Sequence, residues 1–348
     1  MSCGCLGVGG LMSFASIILF VSGLGMVARA QSPAPVNYDA ITNTSVPRLQ
    51  IESIDAVLRE YLADAPSGRG SLAEGAFSYG PIAAIPRPVP PALAAALIAA
   101  SQDDDARVRR EALFTLGTIG APLTPEQAAS LAALMKHDDP RTREAAAAVA
   151  GRLRLKSAAD ALIEAINDPD PRVKMAAMRA IGQVGDVRAV QGLNDQLGYY
   201  KRGDVATAAF EGLAGIGHRS NVPAFETALR DKDDDVRRLA AEGIGRSGHA
   251  ASSTMLEAAI AKERKPFPML AMAFALSRLG QPYQHRLLEA LRQPSTAPQA
   301  FAYLVELAPE SQRSLQPLLR DPDPRLRELA QRALDRINAE RAVPSTVR

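Results

Sequence analysis

Cysteine is nearly missing from this chain of 348 residues: the two present, Cys3 and Cys5, both lie at its very start. Removal of that leader would exclude disulfides, thiolate metal sites and cysteine nucleophiles together, leaving packing alone to hold the fold. Tryptophan is absent and aromatics reach only 5%, so alanine supplies much of the 47% hydrophobic content. Small side chains suit close helix–helix contact. Neither sign of charge dominates, with 40 basic against 38 acidic residues. The excess of Lys and Arg that marks a nucleic-acid or membrane-surface binder is lacking, and no nucleic-acid partner is expected.

One long apolar run stands out, Leu11–Val27. It is short for a membrane-spanning helix, which needs about 20 residues. Ala28-Arg29-Ala30 follows with the small-x-small pattern of a cleavage site, and a polar segment begins at Gln31. The pattern predicts a signal peptide over 1–30 and an exported chain, periplasmic or secreted. Residues 1–10 hold no Lys or Arg. Retention of the leader would instead give a membrane-tethered chain. Residues 31–91 read as an N-terminal segment with one helix, Ile51–Leu62, and a proline-rich linker, Ile85–Pro91.

Residues 92–340 repeat themselves. With Val173 as an anchor, the frame VKMAAMRAIGQVG recurs from Val108, Thr142, Val205, Val236, Pro268, Thr296 and Leu326. The eight anchors are spaced by 34, 31, 32, 31, 32, 28 and 30 residues. Four residues after the anchor stands Ala112, Ala146, Ala177, Ala209, Ala240, Met272, Ala300 or Ala330. A fixed period of this size predicts an all-α solenoid of about eight helix pairs, each too small to fold alone. Anchor, +4 and +8 share one helical face, which needs a partner helix. Glycines at +9 and +12, as in Gly182 and Gly185, are expected to end the helix. A second helix completes each unit, as over Ala158–Ile166 or Val222–Leu229.

Asp105, Asp139, Asp170, Asp233 and Asp323 precede their anchors by three residues and predict N-caps. The same five repeats carry Arg109, Arg143, Lys174, Arg237 or Arg327 just after the anchor. Each base is expected to reach the acid of the adjacent repeat, giving a ladder of ion pairs that fixes repeat register. The frame at Asp170–Gly185 resembles the HEAT-like repeats first named from phycobilin lyases. That resemblance covers about residues 103–338 and implies an armadillo-like superhelix; it leaves function open.

The family also implies two enzyme alternatives. One is a lyase for bilin attachment. The other is a metal-dependent hydroxylase, which needs His-Glu pairs, and none of His137, His218, His249 and His285 is followed by Glu. His218 and His249 share position +13 of adjacent repeats, a spacing of about 10 Å that is too wide for one ion. No catalytic residue, cofactor or metal is expected. The expectation is a non-catalytic scaffold with an unidentified protein partner. Its candidate contacts stand where the ladder breaks: Tyr199, Tyr200, Lys201 and Arg202 before one anchor, and Arg264, Lys265 and Phe267 before another. Basic and aromatic residues there replace the acidic cap and suit an acidic or extended partner.

Overall fold

Alanine-rich segments bounded by Asp-Pro and glycine fold as short helices that pack in pairs. The computed structural model describes residues 38–42, 46–62 and 89–342. The expected leader, its cleavage site and most of the proline-rich linker lie outside these residues. Nine helix pairs follow one another among the described residues. They are α1 (Asp39–Thr42) with α2 (Pro47–Leu62), α3 (Pro91–Ala100) with α4 (Ala106–Ile119), and α5 (Pro125–Ala133) with α6 (Pro140–Arg152). Next come α7 (Ala159–Ala165) with α8 (Pro171–Val184), α9 (Val190–Tyr200) with α10 (Asp204–Ile216), and α11 (Val222–Ala228) with α12 (Asp234–Ser247). The last are α13 (Ser253–Ile260) with α14 (Pro266–Arg278), α15 (Gln284–Ala290) with α16 (Ala297–Glu306), and α17 (Glu310–Leu315) with α18 (Pro324–Ala342).

The even-numbered helices stack on one another from α2 to α18, and from α4 onward each begins at or beside an anchor. The odd-numbered helices form the second layer. This is an α-solenoid, and one continuous apolar core runs between the layers from Ile41 to Ile337. Residues from the N-terminal segment take part: α2 packs on α4 and places Ile54, Val57 and Tyr61 in that core.

Burial follows the repeat frame. All eight residues at +4 are buried, from Ala112 to Ala330, and so are all eight at +8, from Leu116 to Leu334. A small side chain at +4 is what lets successive even helices approach. The glycines at +12 end their helices in the left-handed region, with φ of 66° at Gly120, 78° at Gly185, 63° at Gly217 and 64° at Gly248.

The glycines at +9 have another role than the helix ending expected of them. Gly182 lies inside α8, and a Cβ there would stand 2.7 Å from the Cα of Gly212 on α10. Gly245 in α12 would likewise meet the Cα of Ala275 on α14 at 2.7 Å. These positions are glycine because two backbones touch there.

Candidate functional site

Arginine occurs in two settings on this solenoid. The first is the edge formed by the N-terminal ends of the even helices. Each cap is made as expected: Asp105, Asp139, Asp170 and Asp233 accept the backbone N–H two residues on, and Asp323 accepts that of Arg325. The ladder is also present, though its rungs mostly end on a different acid. Arg143 grips Asp168 through Nε and Nη2 at 2.8 and 2.9 Å, not the cap Asp170. Arg237 grips Glu263 in the same way, and Arg109 lies 3.5 Å from the cap Asp139.

The favoured acid stands five residues before the anchor. Its carboxylate also accepts the backbone N–H at the cap position, as Asp168 does from Asp170 and Asp231 from Asp233. Each of these arginines further donates to carbonyls of its own loop: Arg109 to Asp103 and Asp104, Arg143 to His137 and Asp138, Arg327 to Asp321 and Pro322. Edge guanidiniums therefore hold loops and, where an acid is in reach, register.

The two ladder breaks differ from each other. Before α10, Tyr200 takes the acid's place, and its hydroxyl lies 3.3 Å from Nζ of Lys174. Tyr199 packs edge-on against Tyr200 at 4.9 Å and is 80% exposed. Lys201 has φ of 58°, and the Arg202 N–H donates to the Tyr200 carbonyl across it, a tight and strained turn. Before α14 the acidic cap is lost as expected, with Lys265 making no side-chain cap, but an acid still stands two residues upstream of it. Glu263 is buried and accepts from Arg237 and from the N–H groups of Arg264 and Lys265. The Arg237 hydrogen bond holds its carboxyl down at about 2. Lys265 lies 3.5 Å from Asp234, so Arg264 and Phe267 are the residues left open at that loop.

The second setting was missed from sequence. The inner faces of α6 to α18 border a groove of about 930 Å³. Seven arginines line it, Arg152, Arg154, Arg179, Arg238, Arg246, Arg278 and Arg336, against Glu211, Asp235, Glu242 and Glu306, with no lysine. Ile216, Leu239, Phe267 and Phe301 add apolar surface. Of the seven residues singled out at the ladder breaks, Phe267 is the one that reaches this groove. Arg152, Arg246, Arg278 and Arg336 all stand at +10 of their repeats. Reading that column as a face would have disclosed the site.

A network organises one half of the groove. Glu242 on α12 accepts from Arg238 at 2.8 Å, from Arg246 at 3.1 Å and from the Tyr303 hydroxyl at 2.6 Å. Burial pushes its carboxyl up, but the Arg246 and Arg238 charges outweigh this and hold it below its ordinary value. Burial and then the Glu242 charge drive the Tyr303 phenol well up, so it is a fixed donor. Arg246 continues to Glu306 at 2.9 and 3.0 Å and lies over the Phe274 ring, which stacks on Tyr303 at 4.5 Å. The network ties α12 to α16 across α14. Arg179 pairs with Glu211 on the neighbouring helix.

The other half is uncompensated. Arg152, near the end of α6, is half-buried, and its Nε is enclosed without any hydrogen-bond partner. Burial alone depresses its pKa. Arg154 occupies +12, where most repeats have a left-handed glycine, and adopts φ of 52°. Its field reaches Glu306 across the groove.

The histidines are accounted for by turns. His218 Nδ1 faces the Ser220 hydroxyl at 2.8 Å, and His249 Nδ1 faces that of Ser252 at 3.0 Å. Among the described residues, no three His, Cys, Asp or Glu side chains gather as a metal would require, and no helix is long and apolar enough to cross a membrane.

A family model of HEAT repeats matches residues 82–148, 128–214 and 201–277, more than half of the chain. The chain belongs to the HEAT-repeat family. Solved HEAT structures similar to it include the CpcE–CpcF complex of phycocyanin lyase from Nostoc sp. It is 20% identical over 81% of this chain and 97% of that one, with a TM-score of 0.45. Human deoxyhypusine hydroxylase is 17% identical over 87% and 96%, with a TM-score of 0.31. The karyopherin Kap121p is 13% identical over 88% of this chain and 37% of its own, with a TM-score of 0.39. No curated protein sequence matches the chain.

Proposed function

We propose that this chain is an exported, non-catalytic HEAT-repeat scaffold that binds a protein partner along the arginine-lined groove. One observation carries the reading: the groove runs along many successive repeats and joins charged with apolar surface. An extended polypeptide needs such a site, because its binding energy is collected over length. Arginine suits it better than lysine, since its planar fork meets carboxylates in two-point fashion and stacks on aromatic rings. Export is supported by the Leu11–Val27 run and the Ala28-Arg29-Ala30 site. The exposed loops with Tyr199, Tyr200, Lys201, Arg202 and Arg264 form a secondary contact surface on the edge, linked to the groove through Phe267.

Affinity capture from the native envelope, using the chain that starts at Gln31, tests this reading. Arg278→Glu, at a partly exposed groove position, is expected to lose the captured partner, whereas Lys201→Glu with Arg202→Glu weakens it less. A partner retained equally by the parent and by Arg278→Glu would move the binding surface elsewhere. N-terminal sequencing of the exported protein is expected to begin at Gln31; a membrane-bound product that keeps Met1 would refute export.

A further inference from the structure

We infer that Arg152 and Arg154 form the carboxylate-receiving subsite of the groove, and that its occupant is an acidic side chain of an extended partner segment. This rests on the scaffold reading and adds the chemistry of the partner. The four acids of the groove are already engaged. Glu211 pairs with Arg179, Asp235 with Arg238, Glu242 with Arg238 and Arg246, and Glu306 with Arg246. The positive charge left over is concentrated at the end of α6.

Two independent features there weaken the fold. Arg152 is half-buried and its Nε has been taken out of water unanswered, a cost to the fold. Arg154 holds a left-handed backbone where Gly120, Gly185, Gly217 and Gly248 solve the same turn without a side chain. Such costs persist where a ligand later satisfies them. A carboxylate gives a guanidinium two acceptors in the geometry of its fork.

The occupant is a peptide carboxylate, and not a free ion, because apolar groups share the groove. Leu239 and Ile216 belong to its lining, and Phe267 and Phe301 present aromatic rings. A small anion has no use for these. A segment that alternates acidic and apolar residues uses both.

The test is fluorescence anisotropy with a labelled peptide of alternating Glu and Leu, beside the same peptide with Gln for Glu. The exported chain is used as parent, Arg152→Met and Arg143→Met. The Glu peptide is expected to bind and to weaken as salt rises, with the Gln peptide at least about tenfold weaker. Arg152→Met should lose about tenfold in affinity while melting at a higher temperature than the parent. Arg143→Met, at the edge, should melt lower and keep its affinity. Failure of the Glu peptide to bind, equal binding of the two peptides, or parental affinity in Arg152→Met would each overturn the subsite. Full displacement by inorganic phosphate at a concentration near the peptide's own would overturn the peptide occupant in favour of a small anion. A captured partner that ignores Arg152→Met but is lost from Arg278→Glu would end this assignment and leave the scaffold reading standing.

Discussion

The edge and the groove hold the same residue type in opposite conditions. At the edge, Arg143 has a bidentate acid and two loop carbonyls, so four of its five N–H donors are used within the fold. In the groove, Arg152 is half-buried with its Nε unanswered, and Arg154 is bent into a conformation its neighbours give to glycine. The contrast separates two uses of a repeated arginine. One recurs at +1 because every interface between repeats needs the same register lock. The other recurs at +10 because that column faces the groove, and its chemistry varies from Gln183 to Arg246 to Glu306 along the stack.

The largest test lies where the groove resembles the edge. Glu242 satisfies two guanidiniums and a phenol at once. Glu242→Ala leaves all three without it in a buried setting, and a loss of about 3–5 kcal/mol is expected in urea or thermal unfolding. A loss under about 1 kcal/mol would mean that water replaces the carboxylate, and the compensated half of the groove would then be no more structural than the open half.

At the edge, Glu263 gives a pH signature. Its folded value, about 2, lies below the ordinary 4.5. The group therefore contributes stability that is complete above about pH 4.5 and is lost as pH falls toward 2. Glu263→Gln should cost about 1–3 kcal/mol at pH 7. The gap between parent and variant should stay constant from neutral pH down to the ordinary value and close below it. A gap unchanged in strong acid would show that shape, and not charge, is what Glu263 supplies to the rung.

A third test concerns neither charge nor partner. Gly182→Ala puts a Cβ against the Gly212 backbone, and overpacking should cost about 1–3 kcal/mol in thermal unfolding. Gly185→Ala, where the space is open but φ is 78°, reports backbone strain instead. Equal melting of Gly182→Ala and the parent would mean that α8 and α10 separate easily, and that the groove floor is adjustable.

Periodicity made the fold legible. Alanine at +4 in seven repeats, apolar residues at +8 in all eight and aspartate at −3 in five recur because each unit meets the same neighbour. The ladder was legible for the same reason, but its partner was displaced by two residues: Asp168 and Glu263 stand at −5, a second acidic column shared by Asp103, Asp231 and Asp321 and masked by the caps beside it. The glycines at +9 were misread because helix ending and close backbone contact both select glycine. The groove is legible only in part: four of its arginines share +10, but its acids follow no single column. Its acids come from +6 at Glu211 and Glu242 and from +10 at Glu306, and Tyr303 meets Glu242 from two units away. Spacing within one helix cannot disclose which distant repeats a superhelix brings together.

The smallest effect divides backbone from charge at one residue. Arg154 has φ of 52° at the position where Gly120, Gly217 and Gly248 have 66°, 63° and 64°. For a residue with a Cβ this conformation costs about 1 kcal/mol, and glycine is nearly free of that cost. Arg154→Gly should therefore raise stability by up to about 1 kcal/mol, a small upward shift in melting. Arg154→Ala keeps the strained backbone and removes only the guanidinium, so it should melt with the parent. If Arg154→Gly melts lower than the parent, the arginine supports the fold through its field on Glu306, and it joins the edge arginines in kind. If glycine stabilises and alanine does not, the strain is local and uncompensated within the free chain, which is the condition expected of a residue kept for what it binds.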